Sequence, residues 1–217
     1  MILQLQNIAL SFSTELISIK NFSFEEGLHC IWGVSGSGKT SFLKMLSGRA
    51  YGSDLKGIFL VDSNSYTLSS EQDMALYNQK YISAMYQDSF LIDDFNVLEN
   101  LLLPFYLEKQ NFDKIKYDQL IKALEIEHLV KKEIHQISRG EAQRVRLARS
   151  LLFAQKILIL DEPLVYLDKK MKSICFDLIC QTIKNKKLIA FFSTHDQSLK
   201  ESKEFSFILN FDDGLHL

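Results

Sequence analysis

The sequence has little of what usually marks linkers, cross-links and membrane spans. Pro104 and Pro163 are the only prolines in 217 residues, and no Gly/Ser-rich stretch or 20–50-residue repeat suggests a flexible linker or a repeat array. The cysteines, Cys30, Cys175 and Cys180, are odd in number and lack C-x-x-C spacing. That argues against a disulfide framework and against a zinc site, and it fits free thiols in a reducing cytosol. Nowhere do about 18 apolar residues run together, and the opening MILQLQNIALSF has neither the basic flank nor the unbroken apolar core of a signal peptide. The expectation is a soluble chain. Charge of one sign is also missing: a net charge of −2 and a pI near 6.2 give no global attraction to nucleic acid or to acidic lipid.

What is present is enough apolar material for a core, at 47% hydrophobic residues, in one large domain or two small ones. Alternation in LQLQNIALSF and the β-rich runs GLHCIW, KILIL and LIAFF predict strands. Between them, 3.6-residue apolar spacing predicts helices beginning at Thr40, Val97, Phe112, Glu141 and Asp168, the first stopped by Gly48. Strands alternating with helices point to an α/β fold. The end, FSFILNFDDGLHL, reads as a hairpin turning at Asp213-Gly214.

Glycine is scarce, at 9 in the chain, yet Gly33, Gly36 and Gly38 fall together in IWGVSGSGKTSFL. Gly33 to Thr40 spells G-x-x-x-x-G-K-[ST] between an apolar strand and a helix, the setting of a phosphate-binding loop. Without Cβ atoms the backbone can curl until successive N–H groups converge on an anion at a helix N-terminus. The candidate nucleotide ligands are Gly33, Val34, Ser35, Gly36, Ser37, Gly38, Lys39, Thr40 and Ser41. Lys39 would neutralise β- and γ-phosphate oxygens, and the Thr40 hydroxyl would ligate a Mg²⁺ bridging them.

KILILDEP ends an apolar run in two carboxylates, as a buried parallel strand does when it delivers acids to the ligand-binding edge of an α/β sheet. If the strand persists, Asp161 and Glu162 point to opposite sides and divide the work. Asp161 is assigned to the metal and Glu162 to the attacking water.

ISRGEAQRVRLARSLL directly upstream of ILILDEP resembles the signature segment of ABC (ATP-binding cassette) ATPases. The resemblance continues in family order through IALSF, GVSGSGKTS, MYQDSFLIDDFNVLEN, ILILDEPLVYLD and FFSTHD. It implies one ABC ATP-binding domain over residues 1–217, an α/β P-loop NTPase core with a mixed sheet. An N-terminal antiparallel β subdomain and a helical insertion over about 88–150 would complete it. It also implies ATP and Mg²⁺. Phe12 would stack on adenine, the lesser alternative being ordinary core packing. Gln87 would sense Mg²⁺ and water, or be an ordinary surface residue. His195 would contact the γ-phosphate and position Glu162. Ser138, Gly140 and Glu141 of the signature would meet the ATP of a second subunit, with Asp168 communicating across the dimer.

The family's L-S-G-G-Q reads I-S-R-G-E here: Arg139 replaces the first glycine and Glu141 the glutamine, while Gly140 survives. Hydrolysis is expected to persist, the alternative being a weakly hydrolysing ATP-dependent clamp. The compact length resembles the ATPases of lipoprotein-releasing and macrolide-exporter-type systems. Such a chain would lie on the cytoplasmic face of the membrane through a permease subunit, as a homodimer or pseudo-dimer. Phe90, Leu91, Ile92 and Phe95, rimmed by Asp88, Asp93 and Asp94, would form the permease groove or else fill the insertion's own core. A non-transport ABC ATPase related to nucleic acid or translation is the rival. No sustained heptads separate Lys39 from Ser138, and Arg144, Arg146 and Arg149 read as the polar face of the signature helix, so no nucleic-acid partner is expected.

Overall fold

The structure is a computed structural model that describes residues 1–12, 15–50 and 55–212, with the side chains of 10–17 outside the description. The side chain of Phe12 therefore lies outside the described residues, as does the turn expected at Asp213-Gly214. The chain divides into two compact units.

The first unit comprises Met1–Ala84, Gln155–Asp161 and Ile183–Leu217. Its antiparallel sheet has the order β2-β1-β4-β5, from β1 (Ile2–Phe12), β2 (Glu15–Glu25), β4 (Lys56–Val61) and β5 (Asn64–Thr67). A second sheet runs β6-β7-β8-β3-β9, from β3 (Gly27–Trp32), β6 (Ile82–Met85), β7 (Ile157–Asp161), β8 (Ile189–Thr194) and β9 (Phe205–Asn210). Strand β3 pairs in parallel with both β8 and β9, and β7 with β8. Both faces of β7 and β8 are buried throughout, which is why their sequences read as unbroken apolar runs rather than alternations. The segment expected to form the first arm of a terminal hairpin is strand β9, and its partner among the described residues is β3, in parallel.

An aromatic cluster joins the two sheets. Phe24 of β2 meets Phe191 of β8 edge-on at 4.7 Å between centroids and His29 of β3 at 5.1 Å, while Phe22 meets Phe207 of β9 at 5.4 Å. Helices α1 (Lys39–Leu46), α2 (Glu71–Tyr81) and α7 (Gln197–Lys200) also belong to this unit.

The second unit comprises Met85–Ala154 and Glu162–Thr182. It contains α3 (Val97–Leu107), α4 (Lys114–Ala123), α5 (Arg139–Leu152) and most of α6 (Lys169–Lys186). Its interior includes Leu101 and Phe105 of α3, Tyr117 and Ile121 of α4, and Val145, Ala148 and Leu151 of α5. Phe105 packs on Phe153 and Phe112 at 5.3 and 6.0 Å.

Where helix boundaries differ from expectation, the caps decide them. Asp113 accepts from the amides of Ile115 and Lys116, so α4 begins after it rather than at Phe112. Ser138 and Glu141 form a capping box, which starts α5 two residues earlier than the apolar pattern does. Asp168 accepts from the Met171 amide at 2.9 Å and stands just outside α6.

Candidate functional site

Strand β3 ends at Trp32, and the chain turns into the loop Gly33–Gly38 before α1. Gly36 and Gly38 hold φ values of 85° and 92°, which L side chains rarely adopt. A Cβ on Gly33 would come within 2.6 Å of the Ser37 Oγ and 2.9 Å of the Phe211 Cβ, whereas one on Gly36 would meet nothing within 4 Å. The glycines thus serve two needs, close packing beneath the loop and open space above it. The Ser37 Oγ is out of solvent contact and has no hydrogen-bond partner among the described residues. An orphaned hydroxyl beside an open, glycine-lined curl fits a bound phosphate. Val34, Ser35 and Gly36 are exposed along the loop, and Ser41 is half-buried on the first turn of α1.

Lys39 is buried, and its ammonium folds back to donate to the carbonyls of Gly33 (2.7 Å) and Val34 (2.8 Å). On the opposite side of the loop, the Val34 amide donates to Asp212 Oδ1 at 2.7 Å. Asp161, 1% exposed at the end of β7, accepts from the Thr40 hydroxyl (2.7 Å, Oδ2) and from the Ser193 hydroxyl (2.5 Å, Oδ1). Hard oxygen donors from one carboxylate and one hydroxyl fit Mg²⁺, which keeps waters and phosphate oxygens for its remaining positions. Among the described residues, no cluster of three or more His, Cys, Asp or Glu could form an all-protein metal cage. The cysteines are buried, and burial pushes the Cys175 thiol up to about 12. His195 follows directly on β8 and is exposed.

Sequence reasoning did not find Ser193 or Asp212. Their signals are positional: each lies at or just past the end of a strand that neighbours β3, and only strand order brings those ends together.

The second unit holds Gln87, Ser138, Gly140, Glu141, Glu162 and Asp168. The expected division of labour between the two acids rested on a persisting strand. Strand β7 instead stops at Asp161, and Glu162 takes φ 50°, in the left-handed region. A turn of the backbone, not strand alternation, separates the two carboxylates. Gln143, buried on α5, fixes this turn by donating to the carbonyls of Glu162 (3.2 Å) and Pro163 (2.9 Å).

The Ser138 amide donates to Glu141 Oε2 at 2.7 Å, and the Glu141 amide donates to Ser138 Oγ at 3.3 Å. The amide and then the hydroxyl of Ser138 hold the Glu141 carboxyl below the usual carboxylate range. This side chain has a structural task as a cap, as does the carboxylate of Asp168 on α6. A Cβ on Gly140 would lie 3.1 Å from the Tyr166 carbonyl oxygen, so any side chain here would crowd its own chain. Gln87 is exposed and lines a cavity of about 220 Å³ with Arg139, Gln143, Arg146, Val165 and Tyr166.

Two arginines of the α5 polar face act as tethers. Arg146 donates to the Ser89 carbonyl (3.3 Å) and Arg149 to the Phe90 carbonyl (3.1 Å). Phe90 is 82% exposed and Ile92 39%. Leu91, expected in the same groove, turns inward to 8% exposure, and Phe95 is half-buried. The segment divides between core and surface.

A profile of the family described as ABC transporter matches residues 19–165. The chain belongs to the ABC transporter family. The lipoprotein-releasing system ATP-binding protein LolD of Treponema denticola is 32% identical over 193 residues, 87% of this chain and 84% of that protein. LolD of Buchnera aphidicola subsp. Acyrthosiphon pisum is 32% identical over 83% of this chain and 81% of its own length. Two dimeric structures of the ATP-binding cassette MJ0796, one of them bound to ADP and Pi, superpose with TM-scores of 0.77 and 0.78. Their identities are 23% and 22%, covering 98% of this chain and 95% of each cassette. The fold is that of the ABC ATPase core, α/β with an antiparallel and a parallel sheet.

Proposed function

We propose that this chain is the ATP-binding and ATP-hydrolysing subunit of an ABC transporter, driving a separate permease through nucleotide-dependent pairing of two cassettes. The observation that carries the reading is the joining of the Thr40 hydroxyl to buried Asp161 at 2.7 Å, directly after a glycine loop whose lysine is held 2.7 Å from the Gly33 carbonyl. The similarity to LolD, the ATP-binding protein of lipoprotein-releasing systems, supports a transporter subunit at the membrane.

ATP is the substrate. The amides of the loop beyond Val34, from Ser35 to Gly38, and the orphaned Ser37 hydroxyl receive its phosphates, and Lys39 exchanges its two loop carbonyls for phosphate oxygens. Thr40 and Asp161 would hold Mg²⁺, which when bound neutralises charge that develops on the phosphates. Glu162 accepts the proton of the attacking water, and His195 and Gln87 help to orient that water. Phe12 stacks on adenine. Ser138 and Gly140, at the N-terminus of α5, donate toward the nucleotide of a second copy, and Asp168 links the two copies. Glu141 supports this segment as the capping partner of Ser138. Phe90 and Ile92 offer an exposed apolar contact to a permease helix, rimmed by Asp93 and Asp94, and this contact holds the chain at the cytoplasmic face of the membrane.

The test is magnesium-dependent phosphate release from ATP by the purified chain beside Glu162→Gln. Wild type is expected to turn over and the variant to lose about a hundred-fold or more, as removal of a general base does, while still binding ATP. Equal rates overturn the assignment of Glu162.

A further inference from the structure

Strands β3 and β9 run in parallel with Trp32 opposite Asn210, so they end at the same level. The phosphate loop follows the first and Phe211-Asp212 the second, and the topology delivers both to one edge of the sheet. The Phe211 amide donates to the Trp32 carbonyl (2.8 Å), and the Phe211 ring packs edge-on against Phe42 of α1 at 5.3 Å. The Asp212 amide donates to Asn210 Oδ1 at 3.2 Å, which turns its carboxylate toward the loop. There Oδ1 accepts from the Val34 amide at 2.7 Å, and it lies 3.2 Å from where a Cβ on Gly33 would sit.

Val34 is therefore gripped at both of its backbone polar groups, the N–H by Asp212 and the carbonyl by Lys39 at 2.8 Å. If Lys39 leaves that carbonyl to meet a phosphate, two holds remain on the opening turn of the loop, the longer bond from the Ser37 amide to the Val34 carbonyl (3.3 Å) and the shorter, charge-assisted one from the Val34 amide to Asp212. We propose that Asp212 is a positioning residue for nucleotide binding, its carboxylate fixing the Val34 amide and through it the curl of Gly33–Gly38. The inference rests on the nucleotide-binding reading above. An anionic acceptor makes a stronger bond to an amide than a neutral one does. The bond is exposed, as is Asp212, so it contributes little to folding; its effect falls on pre-ordering the loop, where misplaced donors weaken recognition.

The experiment uses the full chain as wild type, Asp212→Ala and Asp212→Asn. It titrates each with Mg²⁺ and ADP, which requires no turnover, and follows thermal unfolding without nucleotide. Asp212→Ala is expected to bind ADP about ten-fold more weakly, with its unfolding midpoint within about 2 °C of wild type. Asp212→Asn, which keeps an acceptor oxygen, is expected to recover most of the affinity. With ATP, the Asp212→Ala defect should appear in KM and leave kcat nearly unchanged. Equal affinity of Asp212→Ala and wild type overturns the inference. So does an alanine variant that is unfolded or loses stability in step with affinity, or an asparagine variant no better than alanine. Failure of wild type itself to bind ADP overturns the nucleotide reading and this inference with it; that outcome is visible before any variant is compared.

Discussion

Ser193 and Thr40 hydroxyls occupy the two oxygens of Asp161, a carboxylate with almost no solvent of its own. A buried carboxylate is tolerable only when its lone pairs are met, so Ser193 does more than fill space at the end of β8. Replacing it with alanine is expected to cost about 1–3 kcal/mol of stability, the penalty for an unpaired buried acceptor, read from urea unfolding. An unchanged midpoint would show that Oδ1 needs no partner. Residues with sequence-local duties were legible before the structure: Gly33, Gly36, Gly38, Lys39 and Thr40 sit at fixed spacing because one loop needs them together. Ser193 and Asp212 were not. Asp212 bonds to an amide 178 residues away, and nothing in either neighbourhood announces that pairing. Gly140 was legible as a glycine for a reason that was incomplete, since a carbonyl of its own chain already crowds the Cβ position.

At the scale of elements, the buried strands β7 and β8 were legible from apolar runs, and α3 and α5 from 3.6-residue spacing. Helix α2 was not among the clear ones, because Met74, Tyr77 and Tyr81, its buried residues, stand among Glu, Gln, Asp, Asn and Lys. Caps moved the starts of α4, α5 and α6, which apolar spacing cannot register. Loops are shaped by single polar side chains in the same way. Asn100, fully buried in α3, accepts from the Ile92 amide (2.7 Å) and donates to the carbonyls of Ile92 (3.0 Å) and Phe95 (3.2 Å). It therefore folds the very segment that exposes Ile92. Asn100→Ala is expected to lose about 2–4 kcal/mol, the range for breaking a buried hydrogen-bond network. The checks are denaturant unfolding and faster amide exchange at Ile92; a loss below the scatter of surface substitutions would contradict this role.

At the scale of the molecule, the two sheets of the first unit share an aromatic cluster that includes His29. Its Nε2 bonds to the Glu25 carbonyl at 2.8 Å, while its Nδ1 is buried without a partner among the described residues. Burial pulls the ring below its ordinary value of 6.5, and the Glu25 carbonyl opposes this only in part. The unfolded chain then accepts a proton that the folded chain resists, so the stability from neutral His29 is complete above pH 6.5 and drains away as pH falls below it. Unfolding midpoints measured between pH 8 and pH 5 are expected to fall more steeply for wild type than for His29→Phe. Parallel slopes would mean that His29 is not the group responsible.

Every role assigned to this chain begins with nucleotide held by the loop at Gly33–Thr40. The most direct measurement is calorimetric titration of wild type and Lys39→Ala with ATP and magnesium, the latter lacking the ammonium now held by the Gly33 and Val34 carbonyls. Saturable binding by wild type, weakened about a hundred-fold or more in the variant as a lost charge-assisted contact to phosphate requires, is the predicted result. No binding by wild type, or equal binding by both, would contradict it.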